Sequence, residues 1–261
     1  TAAVFEDDGR TIRINGVKKW ITNAAYADYI VLACRTDMSL PAAVGTTLII
    51  VDMSLPGISV RKIGLGERAA IAGTSYIEFE DVRVPADNII GGRANLNLGF
   101  RQLMHNLNHE RLYLSTLCNR LSRVCVEESF KYAVKRKTFG KRLADHDVIK
   151  AKLARMATRV EQTQAWMESI VYQLTTMSRA EANENLGDII CGLKAEVGNV
   201  YEYCAGETTH IFGGNSLDSR SVGRRIQPLA DNTKAYVIPA GATLIMEQQM
   251  TKLAMKRHAK L

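Results

Sequence analysis

The feature that most constrains this chain is a change of hydrophobic period at Gly91-Gly92. Before it the period is that of strands. Thr11-Ile12-Arg13-Ile14-Asn15 alternates polar and apolar residues, with Gly16 following as a turn residue. Tyr29–Ala33, Thr46–Val51, Gly57–Val60 and Thr74–Phe79 add short apolar runs separated by Gly, Pro and Asp. Pro85 closes the set, because proline cannot donate to a central ladder. After Gly91-Gly92 the apolar residues recur at helical spacing. Leu103, Leu107, Leu114, Leu117, Leu121, Val124 and Val126 form a stripe along a helix over about 97–135. Further helices are predicted over about 147–178, about 186–211, where Gly213-Gly214 stops it, and from about 240 to the end. The expected class is a multidomain α+β chain: an antiparallel β-barrel or sandwich over 1–92, then an up-down four-helix bundle over 93–261.

With 261 residues and 46% hydrophobic content, each half can build its own core. No run of about eighteen apolar residues occurs, so no membrane span is expected. Five cysteines without C-x-x-C spacing predict reduced thiols, and His105, His109, His146 and His258 show no metal spacing. The net charge of +7 gathers in Lys131–Arg142, Arg220–Arg225 and Lys252–Lys260. These are solvated helix faces, or surfaces that attract phosphates or nucleic acid. No aromatic residues interleave with them, so nucleic acid is not expected as a partner. Thr1–Phe5 is already strand-like, which predicts that further chain precedes it in the natural product.

Three segments combine residue types suited to a planar, phosphate-bearing ligand. In Trp20-Ile21-Thr22 a large ring and a hydroxyl close a strand, where they could cover a flat ring system or simply fill a core. Arg136-Lys137-Thr138-Phe139-Gly140-Lys141 offers a guanidinium fork, a hydroxyl and a glycine for close approach, or else a basic helix cap. His210-Ile211-Phe212-Gly213-Gly214-Asn215 ends a helix in paired glycines.

In this order and at these distances, the three segments resemble the acyl-CoA dehydrogenase flavoproteins, and the resemblance extends over the whole chain. It implies the middle β-domain and the C-terminal helical domain, with the N-terminal helical domain absent from this chain. It implies FAD as cofactor. Trp20, Ile21 and Thr22 would lie against the flavin. Arg136, Thr138, Phe139, His210, Gly213 and Gly214 would hold the dinucleotide of a neighbouring subunit, which requires at least a homodimer and allows a homotetramer. His210 stands where Gln is usual. The family's usual base is a Glu that here is replaced by Ala240, in Ile238-Pro239-Ala240-Gly241-Ala242-Thr243. In a subset that includes isovaleryl- and long-chain acyl-CoA dehydrogenases the Glu lies in the first long helix. Asn108-His109-Glu110-Arg111-Leu112 matches that arrangement. Glu110 is then the candidate α-proton base and Arg111 a substrate-binding residue, although a surface position for Glu110 fits the sequence equally. The implied activity is α,β-dehydrogenation of an acyl-CoA thioester to the 2-enoyl-CoA. Electrons would leave to an electron-transferring flavoprotein or to oxygen.

Alternatives on the same scaffold are an acyl-CoA oxidase, and a non-catalytic flavoprotein that binds nucleic acid through its basic bundle. Nitroalkane oxidases, which carry a carboxylate at the position of Ala240, are disfavoured. Gly66–Thr74 is longer than the family's corresponding loop, and Asp147 stands where Gln is common. Ala259-Lys260-Leu261 is a variant of the peroxisomal Ser-Lys-Leu ending, or a basic tail with that ending by chance. Otherwise a mitochondrial or cytoplasmic location is expected.

Overall fold

The computed structural model describes residues 1–65, 69–218 and 220–259. Gly66–Arg68 of the long loop, Lys260-Leu261 of the C-terminal tripeptide and the side chain of His105 lie outside the described residues. The chain divides into two compact units, Thr1–Asn106 and Leu107–Leu261.

The first unit is built on β1 (Ala2–Phe5), β2 (Thr11–Ile21), β3 (Tyr29–Arg35), β4 (Thr46–Asp52), β5 (Ile58–Lys62) and β6 (Ser75–Pro85). They form one six-stranded sheet in the order β4-β3-β1-β2-β6-β5. The sheet is an open half-barrel with β4 and β5 at its edges, the barrel-like β-domain expected ahead of the helices. Pairing is antiparallel except between β1 and β3, which meet in parallel at Ala2 and Arg35. Alternation puts Ile12, Ile14, Leu32, Ile49, Ile77, Phe79, Val82 and Val84 in one core. Pro85 ends β6 beyond the reach of β5, whose pairing stops at Phe79, so its missing donor breaks no ladder on that side.

Gly16 does not end a strand; it lies inside β2, which continues to Ile21. At Gly16 the register with β6 shifts, and Asp81 is the extra residue in the left-handed region (φ 49°). Asn15 holds this bulge from across the ladder. Its Nδ2 donates to Asp81 Oδ1 at 3.0 Å, and its Oδ1 accepts from the Asp81 amide at 2.8 Å. Asn15 first, then the Arg13 guanidinium, draws the exposed Asp81 carboxyl below its usual range.

The second unit contains most of α1 (Gly99–Lys135), then a small hairpin of β7 (Lys137–Thr138) and β8 (Lys141–Arg142). There follow α2 (Asp147–Thr176), α3 (Arg179–Asn185), α4 (Gly187–Phe212), α5 (Ile226–Asp231), α6 (Thr233–Val237) and α7 (Thr243–His258). Helix α1 runs parallel to α4, since Arg111 meets Cys191, Ser129 meets Thr208 and Tyr132 meets Phe212. It runs antiparallel to α2, since Thr116 meets Met167 and Arg123 meets Glu161. Helix α7 runs antiparallel to α4, with Leu253 beside Gly187 and Thr243 beside Gly198. These four long helices form an up-down-up-down bundle.

The inward face of α1 is not the leucine stripe expected from the sequence. The buried positions are Arg111, Ser115, Cys118, Asn119, Ser122, Cys125, Ser129 and Ala133, while Leu114, Leu117 and Leu121 lie half-buried on the flanks. Small side chains let α1 approach its neighbours closely. The Ser115 and Ser122 hydroxyls are satisfied by donating to the carbonyls of Arg111 and Cys118, each at 2.8 Å. All five cysteines of the chain are free and buried, two of them, Cys118 and Cys125, on this face. No described helix is long and apolar enough to cross a membrane.

Candidate functional site

In the first unit, Trp20 sits in a second bulge of β2, where the register against β6 shifts between Lys18 and Ile21. Its backbone is left-handed (φ 64°), as is that of Asn23 (φ 68°). A bulky residue pays of order 1–3 kcal/mol in strain for that conformation, so surrounding bonds must impose it. The Asn23 amide is tied to Ala72 O at 2.8 Å. The result is an indole left 59% exposed, which rules out a core role within this unit. Thr22 beside it is exposed, and Ile21 is half-buried.

In the second unit, the Arg136–Lys141 segment is a β-hairpin and not a simple helix cap. Phe139 (φ 51°) and Gly140 (φ 78°) form its two-residue loop, both left-handed as a type I′ turn requires. Phe139 crowns this turn and is 98% exposed, so nothing in this unit covers the ring. Thr138 Oγ1 lies 3.2 Å from His146 Nε2, and the His146 ring meets Phe139 edge-on at 6.3 Å. Arg136 is exposed, with no carboxylate partner among the described residues.

Helix α4 ends at Phe212 because Gly213 turns left-handed (φ 57°). His210, Gly213 and Gly214 line an open cleft of about 470 Å³ with Thr209, Gln227 and Asp231. A Cβ at Gly213 or Gly214 would meet nothing within 4 Å, so the glycines leave the approach to the backbone clear. His210 Nδ1 stands 3.9 Å from Glu207, whose carboxylate also pairs with Lys152. An unpaired guanidinium, a hydroxyl, an imidazole and a glycine-lined backbone suit a diphosphate with attached sugars, so these residues fit a dinucleotide such as FAD.

The remaining candidates lie at the other end of the bundle. Glu110 is exposed on α1, while the next residue, Arg111, is 7% exposed and points inward. Arg111 Nε donates to Ala240 O at 3.1 Å and Nη1 to Asn108 Oδ1 at 3.0 Å. Lys194, 3% exposed on α4, donates to the carbonyls of Val237 and Gly241. Burial pushes its ammonium down from 10.5 to about 8. Arg111 and Lys194 therefore grip one turn, in which Ala240 is left-handed (φ 56°) and Gly241 has φ 122°. The turn exposes no carboxylate in place of Ala240.

The structure thus brings Arg136, Thr138 and Phe139 to the same end of the bundle as His210, Gly213 and Gly214. It sets Glu110 and Arg111 roughly 37 Å from that end along the axis of α1. Sequence reasoning missed His146, Tyr132 and Lys194. Lys194 alone carried a signal, as a single cation in the apolar run Ile189-Ile190-Cys191-Gly192-Leu193.

Residues 97–255 match the acyl-CoA dehydrogenase C-terminal domain family, and residues 1–82 match the acyl-CoA dehydrogenase middle domain. The chain is 33% identical over 262 residues to acyl-CoA dehydrogenase apdG of Emericella nidulans, covering 100% of this chain and 58% of that protein. It is 27% identical over 251 residues to the caffeyl-CoA reductase-Etf complex subunit CarC of Acetobacterium woodii, covering 96% of this chain and 63% of that protein. A crystal structure of a probable acyl-CoA dehydrogenase from Mycobacterium abscessus superimposes with a TM-score of 0.83 at 28% identity, over 97% of this chain and 63% of that one. The chain therefore spans less than two thirds of each of these relatives. Both matched domains, in their shared order, establish that the chain belongs to the acyl-CoA dehydrogenase family.

Proposed function

We propose that this chain forms the flavin-binding and proton-abstracting part of an FAD-dependent acyl-CoA dehydrogenase, which converts an acyl-CoA thioester to the 2-enoyl-CoA. One observation carries the reading: within a family member, the dinucleotide-type residues and the candidate base stand about 37 Å apart along one helix. A single helical unit cannot bring both to one cofactor. Two copies can, when the Arg136 end of one meets the Glu110 end of the other, so the working unit is a homodimer or a homotetramer.

On this reading Arg136 and Thr138 bind the diphosphate, and Phe139 packs on the dinucleotide held mainly by the neighbouring copy. His210, Gly213 and Gly214 approach its sugar and phosphate groups. Trp20, Ile21 and Thr22 cover the flavin ring. When bound, FAD supplies the acceptor for the β-hydride. Glu110 takes the α-proton, and Arg111, fixed by Ala240 and Asn108, orients the Glu110 turn and the thioester end of the substrate. A base of this kind needs apolar surroundings to lift its carboxyl toward neutral pH. Glu110 is exposed in this chain, so bound acyl chain and flavin provide that desolvation. This placement of the base puts the chain with the isovaleryl- and long-chain subset.

The electron acceptor is an electron-transferring flavoprotein, as the name of the CarC complex suggests for that relative, or oxygen. The test is spectroscopic. Anaerobic addition of acyl-CoA thioesters to the flavin-loaded protein should bleach the flavin, and Glu110→Gln should slow bleaching at least about a hundredfold while leaving FAD bound. Bleaching at the original rate would remove Glu110 as base.

A further inference from the structure

The last turn of α1 carries one residue that contacts both dinucleotide segments. Tyr132 stacks on Phe212 with ring centroids 4.1 Å apart and planes 15° from parallel. Its hydroxyl accepts from Asn215 Nδ2 at 2.7 Å and lies 3.5 Å from Phe212 O. Its own carbonyl accepts the Arg136 amide at 2.9 Å, the last helical bond before the hairpin. The Arg136 carbonyl in turn accepts the Leu143 amide at 2.7 Å, which closes the hairpin. Side chain and backbone of one residue therefore bind the Phe212–Asn215 turn on one side and the Arg136–Arg142 hairpin on the other.

Such a tie limits the freedom of both segments relative to each other. The turn follows a helix that has already ended at left-handed Gly213, and Gly213 and Gly214 have no side chains to anchor. The hairpin is two residues long per strand and carries an exposed ring at its tip. A ligand held by both would otherwise have to order both on binding, which costs affinity.

We infer that Tyr132 is a positioning residue that fixes the Phe212–Asn215 turn against the Arg136–Arg142 hairpin, so that the two present one preformed face to the dinucleotide. The inference rests on the FAD reading of these segments. The Asn215 hydrogen bond does the fixing, and the ring stack supplies packing that phenylalanine retains.

The test titrates FAD into apoprotein and follows flavin fluorescence, using the unaltered protein, Tyr132→Phe, Asn215→Ala and the double variant. Thermal unfolding of each apoprotein serves as the structural readout. Loss of one hydrogen bond that preorganises the site should weaken FAD binding roughly three- to tenfold. Each single variant and the double variant should weaken binding to the same extent, because each breaks the same link. Loss of the hydroxyl alone should lower the unfolding midpoint of Tyr132→Phe by no more than about 2–4 °C, well short of a global defect. Unchanged FAD affinity in Tyr132→Phe, or single effects that add in the double variant, would overturn the positioning role while leaving the cofactor reading in place. Failure of the unaltered protein to bind FAD would overturn the cofactor reading, and the role of Tyr132 with it.

Discussion

At the scale of single residues, the chain places two cations where the interior would normally exclude them. Arg111 and Lys194 are almost fully buried, and both donate to backbone carbonyls of the Val237–Gly241 turn. For Lys194 the cost has a measurable sign. Its folded ammonium titrates at about 8, below the ordinary value of 10.5. Between those values the unfolded chain binds the proton and the folded chain does not, so stability from this group is lowest below pH 8 and rises toward 10.5. The full difference is on the order of 3 kcal/mol. Burial pushes the thiols of Cys34 and Cys118 up to about 11, and these act in the opposite sense as pH passes 9. The thiols are common to both proteins, so the difference between the unaltered protein and Lys194→Met between pH 8 and 9 isolates the lysine. Urea unfolding should show the unaltered protein gaining about 1 kcal/mol relative to Lys194→Met across that window. Parallel curves would mean that Lys194 is not desolvated as its burial implies.

At the scale of elements, the inward face of α1 sets how closely the bundle packs. Ser122 lies on that face with no exposed surface, and its hydroxyl is turned back onto its own helix. Ser122→Leu should overpack the bundle and destabilise it by about 1–3 kcal/mol, seen as a lower unfolding midpoint. An unchanged midpoint would contradict close packing there. The helix itself was legible in the sequence, since its apolar residues repeat at the right period. Its inward face was not, because Leu114, Leu117 and Leu121 have the same period as the small residues they flank. In the sheet, β3, β4 and β5 followed from their apolar runs, whereas the bulges at Asp81 and Trp20 did not. A bulge depends on what the partner strand offers, here Asn15 across from Asp81, and one strand's pattern holds no record of that. The short helices α3, α5 and α6 went unread for a similar reason: a turn or two of helix has too few residues to show a period. Tyr132 and His146 acquire meaning only through Asn215 and Thr138, which lie on other elements.

At the scale of the whole molecule, the account turns on the distance that α1 puts between two sets of residues. On the proposed reading the base candidate and the dinucleotide grip stand about 37 Å apart along α1, and each complete site would draw on two copies of the chain. Complementation measures this directly. Glu110→Gln should be inactive for want of a base, and a combined Arg136→Ala/Phe139→Ala variant should be inactive for want of the grip. Dissociated and reassembled together, the two should form mixed pairs in which one of the two sites is intact. Acyl-CoA dehydrogenase activity should return to about a quarter of that of the unaltered protein, since half the pairs are mixed and each has one working site. Activity that stays at the level of the separate variants would show that base and grip serve the cofactor from the same chain, and the shared site would be wrong.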